Sequence, residues 1–156
     1  MKKSTKFATF AAATAALGFG FTGIAAAAHG GASTDGYFSG RAEIDSSATN
    51  NRIVGDPNGR GYAEVSSPGG GVVCFELYVS KIATPTAAHI HEATAGSNGP
   101  VVVTLAPPVN GYSEGCVDTG DADLAADIVL RESSEYYVNV HNAEFPGGAV
   151  RAQLGN

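Results

Sequence analysis

Three histidines in two short segments carry most of the chemistry this sequence offers. Ala87-Ala88-His89-Ile90-His91-Glu92 sets two imidazoles two residues apart, and Tyr136-Tyr137-Val138-Asn139-Val140-His141 ends on a third. Side chains two apart on a strand point to the same face, so an extended segment delivers His89 and His91 together. His-x-His is a common way to present two nitrogen ligands. Imidazole suits zinc and copper, whereas calcium and magnesium take oxygen. A hydrogen-bonded or solvated histidine group that orders loops uses the same residues without a metal, and both readings stay open on the sequence. Parity adds one constraint. Ala88 and Ile90 lie opposite His89 and His91, and Val138 and Val140 lie opposite Tyr137, Asn139 and His141. With the aliphatic side against a core, all three imidazoles occupy polar faces.

Other chemistry finds less support. Glu92 and Glu144 are near these histidines in sequence, but Glu92 has the wrong parity to share their face. The zinc-protease helix pattern fails, because Ala95 stands where a second histidine is required. There is no Gly-x-Ser-x-Gly elbow. Asp121, Asp123 and Asp127 lack the full calcium-loop spacing and suit a solvated helix start. The fourth histidine, His29, completes an amino-terminal copper-binding arrangement only if the mature chain begins there.

The elements that position these residues begin after a leader. Lys2, Lys3 and Lys6 precede an apolar, uncharged run from Phe7 to Ala28 that ends in four alanines, the pattern of a general secretory signal peptide over 1–28. Residues 29–36 are expected to be a flexible mature start and 37–154 the domain. Loss of three lysines leaves six basic against fifteen acidic residues, 6 − 15 = −9. That sign argues against nucleic acid and against an anionic lipid surface. No later stretch is long and apolar enough for stable membrane insertion. Cys74 and Cys116 are an even pair in an exported chain, so a disulfide is the default and a Cys–His metal site the competing reading.

Short strands between glycine- and proline-rich turns make up the rest. Strands are expected at 37–44, 62–66, 72–82, around His89–His91, at 101–105, near 116–118, at 136–141 and at 149–154. Val73, Phe75, Leu77 and Val79 alternate with Cys74, Glu76, Tyr78 and Ser80 in the clearest period-2 pattern. The continuous apolar run Val101–Leu105 suits a buried strand. One short helix is expected around Asp121–Leu130, capped by Asp121. Such a pattern implies an all-β sandwich or barrel.

Four ordered motifs carry a family resemblance: Ala87-Ala88-His89-Ile90-His91, Asn98-Gly99-Pro100-Val101-Val102-Val103, Tyr136–His141, and Glu144-Phe145-Pro146-Gly147-Gly148-Ala149-Val150-Arg151-Ala152-Gln153-Leu154. Together they resemble the CHRD domain named for chordin, over roughly Tyr37 to Leu154. The chain looks most like secreted single-domain bacterial members with cysteines where Cys74 and Cys116 stand. Asn142 and Ala152 depart from the threonine and glycine common at those positions. The resemblance implies an immunoglobulin-like antiparallel β-sandwich of Greek-key type and no established enzymatic activity, so a non-enzyme is expected. It points to a secreted binding or cell-envelope protein whose extracellular ligand or protein partner it does not name. The alternative is a copper or zinc binder through His89, His91 and His141, with metal-dependent oxidoreductase chemistry third. Copper–zinc superoxide dismutase, also a β-sandwich with His-x-His, needs more histidines than this chain has.

Overall fold

The computed structural model describes residues 31–45 and 54–155. The leader and His29 lie outside the described residues. Eight strands follow in order: β1 (Ala32–Ser39), β2 (Arg60–Gly69), β3 (Val72–Ser80), β4 (Pro85–Glu92), β5 (Val101–Leu105), β6 (Tyr112–Asp118), β7 (Tyr136–Asn142) and β8 (Val150–Gln153). One short helix, α1 (Ala122–Ala126), continues into a wider π turn before β7. Hydrogen bonds link all eight strands antiparallel in the order β5-β4-β7-β8-β1-β2-β3-β6.

The all-β class with one short helix is therefore borne out. The two-sheet Greek-key sandwich is not, since the ladders make one sheet that is nearly closed as a barrel. Its two four-stranded halves meet at a thin seam, where β1 and β8 share the single paired position Ser39 with Arg151. At the far edges, the Ser113 hydroxyl at the start of β6 donates to the Ala106 carbonyl just past β5, at 2.8 Å.

Alternation explains the core. Val73, Phe75, Leu77 and Val79 of β3 point inward, as do Ala88 and Ile90 of β4 and Val138 and Val140 of β7. Their burial, at roughly 1.5–3 kcal/mol for each large aliphatic side chain, holds the two halves together. β5 is an edge strand rather than a fully buried one: Val103 and Leu105 face the core while Val101 is half exposed. The first strand also differs from its expected span. Ala32–Gly36, read as part of a flexible start, pairs in full register with β2, and Gly40–Ala42 turns into a 3-10 helix where continued strand was expected. Asp121 caps α1 as expected, its Oδ1 accepting from the N–H groups of Asp123 and Leu124 at 3.0 Å each.

Candidate functional site

β4 and β7 are adjacent, and their register sets His89 opposite Asn139, His91 opposite Tyr137 and Ala87 opposite His141. Because Ala88, Ile90, Val138 and Val140 fill the core, these residues share the outer face. One nitrogen from each of His89, His91 and His141 lies within 4.8 Å of the other two. The Nδ1 of His89 is 3.1 Å from the Nε2 of His141. All three rings are partly buried.

Backbone carbonyls fix the tautomers. His91 Nδ1–H donates to the Gly99 carbonyl at 2.9 Å, and His141 Nδ1–H donates to the Pro146 carbonyl at 3.0 Å. A carbonyl only accepts, so each neutral ring keeps its lone pair on Nε2. Those two Nε2 atoms face the same atom, the Asn139 side-chain oxygen, at 3.1 and 3.0 Å. Three acceptors thus converge. Without a cation, a half-turn of the amide brings the Asn139 NH₂ toward both rings, and a His89 carrying its hydrogen on Nδ1 donates to His141 Nε2. Burial, with the neighbouring imidazoles His141 and His91, holds His89 below the ordinary histidine pKa. Burial likewise lowers His141, against the Pro146 carbonyl, which favours its charged form. Both rings are neutral at pH 7, the form that ligates.

Two loops supply the carbonyls. The first, 93–100, is closed at its base by the Glu92 N–H donating to the Pro100 carbonyl at 3.1 Å. Gly99 is required there, since a Cβ would sit 1.8 Å from the Glu92 carbonyl oxygen. Arg151, only 1% exposed, pins this loop. Its guanidinium donates to the Ser97 carbonyl at 2.7 Å and the Thr94 carbonyl at 3.0 Å. It also lies 3.4 Å from the centroid of the Tyr137 ring, whose other face stacks on His91 at 4.8 Å. Guanidinium, phenol and imidazole form one pile that fixes the plane of His91.

The second loop, 143–149, hangs from Asn142. That buried amide oxygen accepts from the N–H groups of Glu144 and Phe145 at 3.0 and 2.8 Å. Glu43 lies beneath the loop, and a Cβ on Gly148 would come within 2.5 Å of its carboxylate. Burial pushes the Glu43 pKa up to about 7, against the pull of Arg151. Its Oε1 is buried with no hydrogen-bond partner.

The sequence therefore brings together all three histidines it singled out. Glu92 and Glu144 are exposed, Glu92 paired across to Tyr136, and neither hydrogen-bonds to the imidazoles. Cys74 and Cys116 face each other across β3 and β6 as a disulfide, 3.9 Å apart at Cα, which removes the Cys–His reading. Arg151, Asn139 and Glu43 were not read as site residues. Asn139 and Arg151 alternate with aliphatic neighbours and were legible as outward-facing, but nothing local signalled what they touch.

The CHRD domain family model matches residues 39–154. The chain belongs to the CHRD domain family. No curated protein and no solved structure gives a significant match. All four resemblance motifs fall within the matched span. Three of them surround the histidines: the His89–His91 strand, the β7 segment, and the Glu144–Leu154 stretch that supplies Pro146 and Arg151. The Asn98-Gly99-Pro100 motif closes the covering loop, and the Asn98 side-chain NH₂ donates to the Ile44 carbonyl at 2.8 Å. CHRD domains are of extracellular type, and a disulfide is the mark of an oxidising compartment. Among the described residues no helix is long and apolar enough to cross a membrane.

Proposed function

We propose that this CHRD domain is a secreted, non-catalytic binding protein whose ligand at the β4–β7 face is a single zinc or copper ion held by His89, His91 and His141. The observation that carries the reading is the pair of Nδ1–H bonds to Gly99 and Pro146 carbonyls, which turn two Nε2 lone pairs toward one point. Metal-bound histidines nearly always donate the other ring N–H to a carbonyl or carboxylate in this way. A tetrahedral zinc site with Zn–N bonds of about 2.0–2.1 Å puts its nitrogens roughly 3.3 Å apart. The 3.1 Å approach of His89 to His141 meets that spacing, and His91, whose ligand nitrogen is within 4.8 Å of theirs, has to close by up to about 1.5 Å. A cation bound here would also meet the Asn139 oxygen, which lies 3.1 and 3.0 Å from the two Nε2 atoms.

Three imidazoles without a thiolate or an added carboxylate suit storage or delivery of a divalent ion, and copper is expected to bind more tightly than zinc. Calorimetric titration of the mature protein with zinc and with copper tests this. One ion per chain is expected, with affinity falling in His91→Ala by more than the 10- to 100-fold typical of losing a supporting hydrogen bond. No stoichiometric uptake at micromolar metal, or equal uptake by the variant, contradicts it.

A further inference from the structure

The outer face of β4, β7 and β8 is overlaid by the 93–100 loop, whereas on the outer face of β1, β3 and β6 the side chains of Tyr37, Tyr78 and Tyr112 are exposed. Across β1, β2, β3 and β6 the register aligns two complete rows. Tyr37, Tyr62, Tyr78 and Tyr112 are successive cross-strand partners. Two residues away along each strand, and so on the same face, Asp35, Glu64, Glu76 and Glu114 are successive partners as well. Tyr37 is 74% exposed and Tyr78 44%, so the rings lie on the surface instead of packing inward. They touch in pairs, with centroids 5.4 Å apart for Tyr37–Tyr62 and 4.7 Å for Tyr78–Tyr112.

The two rows act on the fold with opposite signs. Aromatic pairs directly opposite stabilise a sheet, whereas like charges directly opposite destabilise it. Three consecutive carboxylate pairs are thus a standing cost to folding, and among the described residues no cation forms an ion pair with them. Both ion pairs among the described residues are made by Arg131, with Asp123 and Asp127. Partial relief comes from the tyrosines, as the hydroxyl of Tyr78 donates to Glu76 at 3.2 Å and that of Tyr112 to Glu114 at 2.8 Å. The bond to Glu114 is the main reason that the Tyr112 phenol titrates above its ordinary value, so the negative charge stays on the carboxylate.

We infer that this lattice docks an extended basic segment of a protein partner, with cationic side chains lying on the tyrosine rings and their charges against the carboxylate row. Guanidinium groups suit both surfaces, since they stack on aromatic faces and pair with carboxylates bidentately. At the usual strand spacing of about 4.8 Å the row spans about 14 Å, the reach of about four extended residues. The net charge of −6 steers a cationic partner toward it. A neutral glycan would use the rings and donate hydroxyl hydrogen bonds to the carboxylates, but would neutralise none of their opposed charge. A divalent cation would use the carboxylates and leave the rings idle.

Fluorescence anisotropy of the full chain with a labelled peptide of alternating arginine and glycine tests the assignment. Saturable binding is expected, weakening at least about tenfold as salt is raised past the physiological range. Glu64→Gln/Glu76→Gln is expected to weaken binding about tenfold or more while raising the melting temperature, because two opposed charges are gone. Weaker binding in a more stable protein separates lost recognition from lost fold. Tyr78→Ser/Tyr112→Ser is expected to weaken binding with its salt dependence retained. Absence of saturable binding at millimolar peptide overturns the inference, as does undiminished binding by the glutamine variant. Binding of calcium or of a neutral oligosaccharide that the same variant abolishes, with the peptide unbound, overturns it in favour of that ligand.

Discussion

His91 and His141 each commit the Nδ1 hydrogen to a backbone carbonyl, and that choice fixes what Nε2 can do. The neighbouring titratable groups respond to pH with opposite signs. His89 and His141 have folded-state pKa values below the ordinary 6.5. The unfolded chain therefore takes up protons first, so their contribution to stability is complete above 6.5 and falls away at lower pH. Glu43 runs the other way. Its pKa rises from 4.5 to about 7, so its contribution is complete below 4.5 and is lost as pH rises through about 7. Glu43→Gln removes the buried charge and is expected to stabilise the protein by about 1–3 kcal/mol at pH 8 and hardly at all at pH 4. Thermal melts across that range check it, and a gain independent of pH would contradict the assignment. The outward parity of the histidines was legible at this scale because side-chain alternation is a local rule. Glu43 was not, because its burial depends on Gly148 and Arg151, both more than a hundred positions away in the chain.

The element that controls the site is the 93–100 loop, and Arg151 of β8 is what holds it in place. Arg151 acts as a positioning residue, reaching His91 only through Tyr137 and the loop. Arg151→Ala takes the donor from the Thr94 and Ser97 carbonyls, removes the stack and leaves the buried Glu43 without its nearby cation, and is expected to cost about 3 kcal/mol in stability. Arg151→Lys keeps the charge but loses the planar fork. It is expected to weaken zinc binding by roughly 10- to 100-fold while the protein stays folded. Zinc titration beside a denaturation curve separates the two effects, and an unaltered affinity in Arg151→Lys would show that the loop does not orient His91. Hairpins such as β2–β3 were readable from alternation flanking a Pro-Gly-Gly-Gly turn. The start of β1 was not. Thr34 is the one strand-favouring residue in Ser33–Gly36, where Asp35 and Gly36 disfavour a strand, and it is pairing with β2 that makes the segment extended.

At the scale of the whole molecule, eight strands close nearly into a barrel around one core, and polar chemistry sits on two separate outer faces. Alternation and turn chemistry made the all-β class legible. Which strands neighbour one another is non-local, and so the sandwich expected from the sequence gave way to a single sheet joined at Ser39 and Arg151. The Cys74–Cys116 bond ties edge strand β6 to β3 across a separation of 42 residues. Loop-closure entropy gives it about 4 kcal/mol. Cys74→Ser/Cys116→Ser is expected to lose up to that amount and to speed amide exchange first along Tyr112–Asp118. Uniform loss of protection over the sheet would contradict a role local to that edge. The proposed function rests on three imidazoles from β4 and β7 sharing one ion. Nitrogen-15 spectra of the imidazoles, recorded with and without one equivalent of zinc, test it most directly. Large zinc-dependent shifts at Nε2 of His91 and His141, with Nδ1–H retained on both, are predicted. Unchanged Nε2 resonances in the presence of zinc would contradict it.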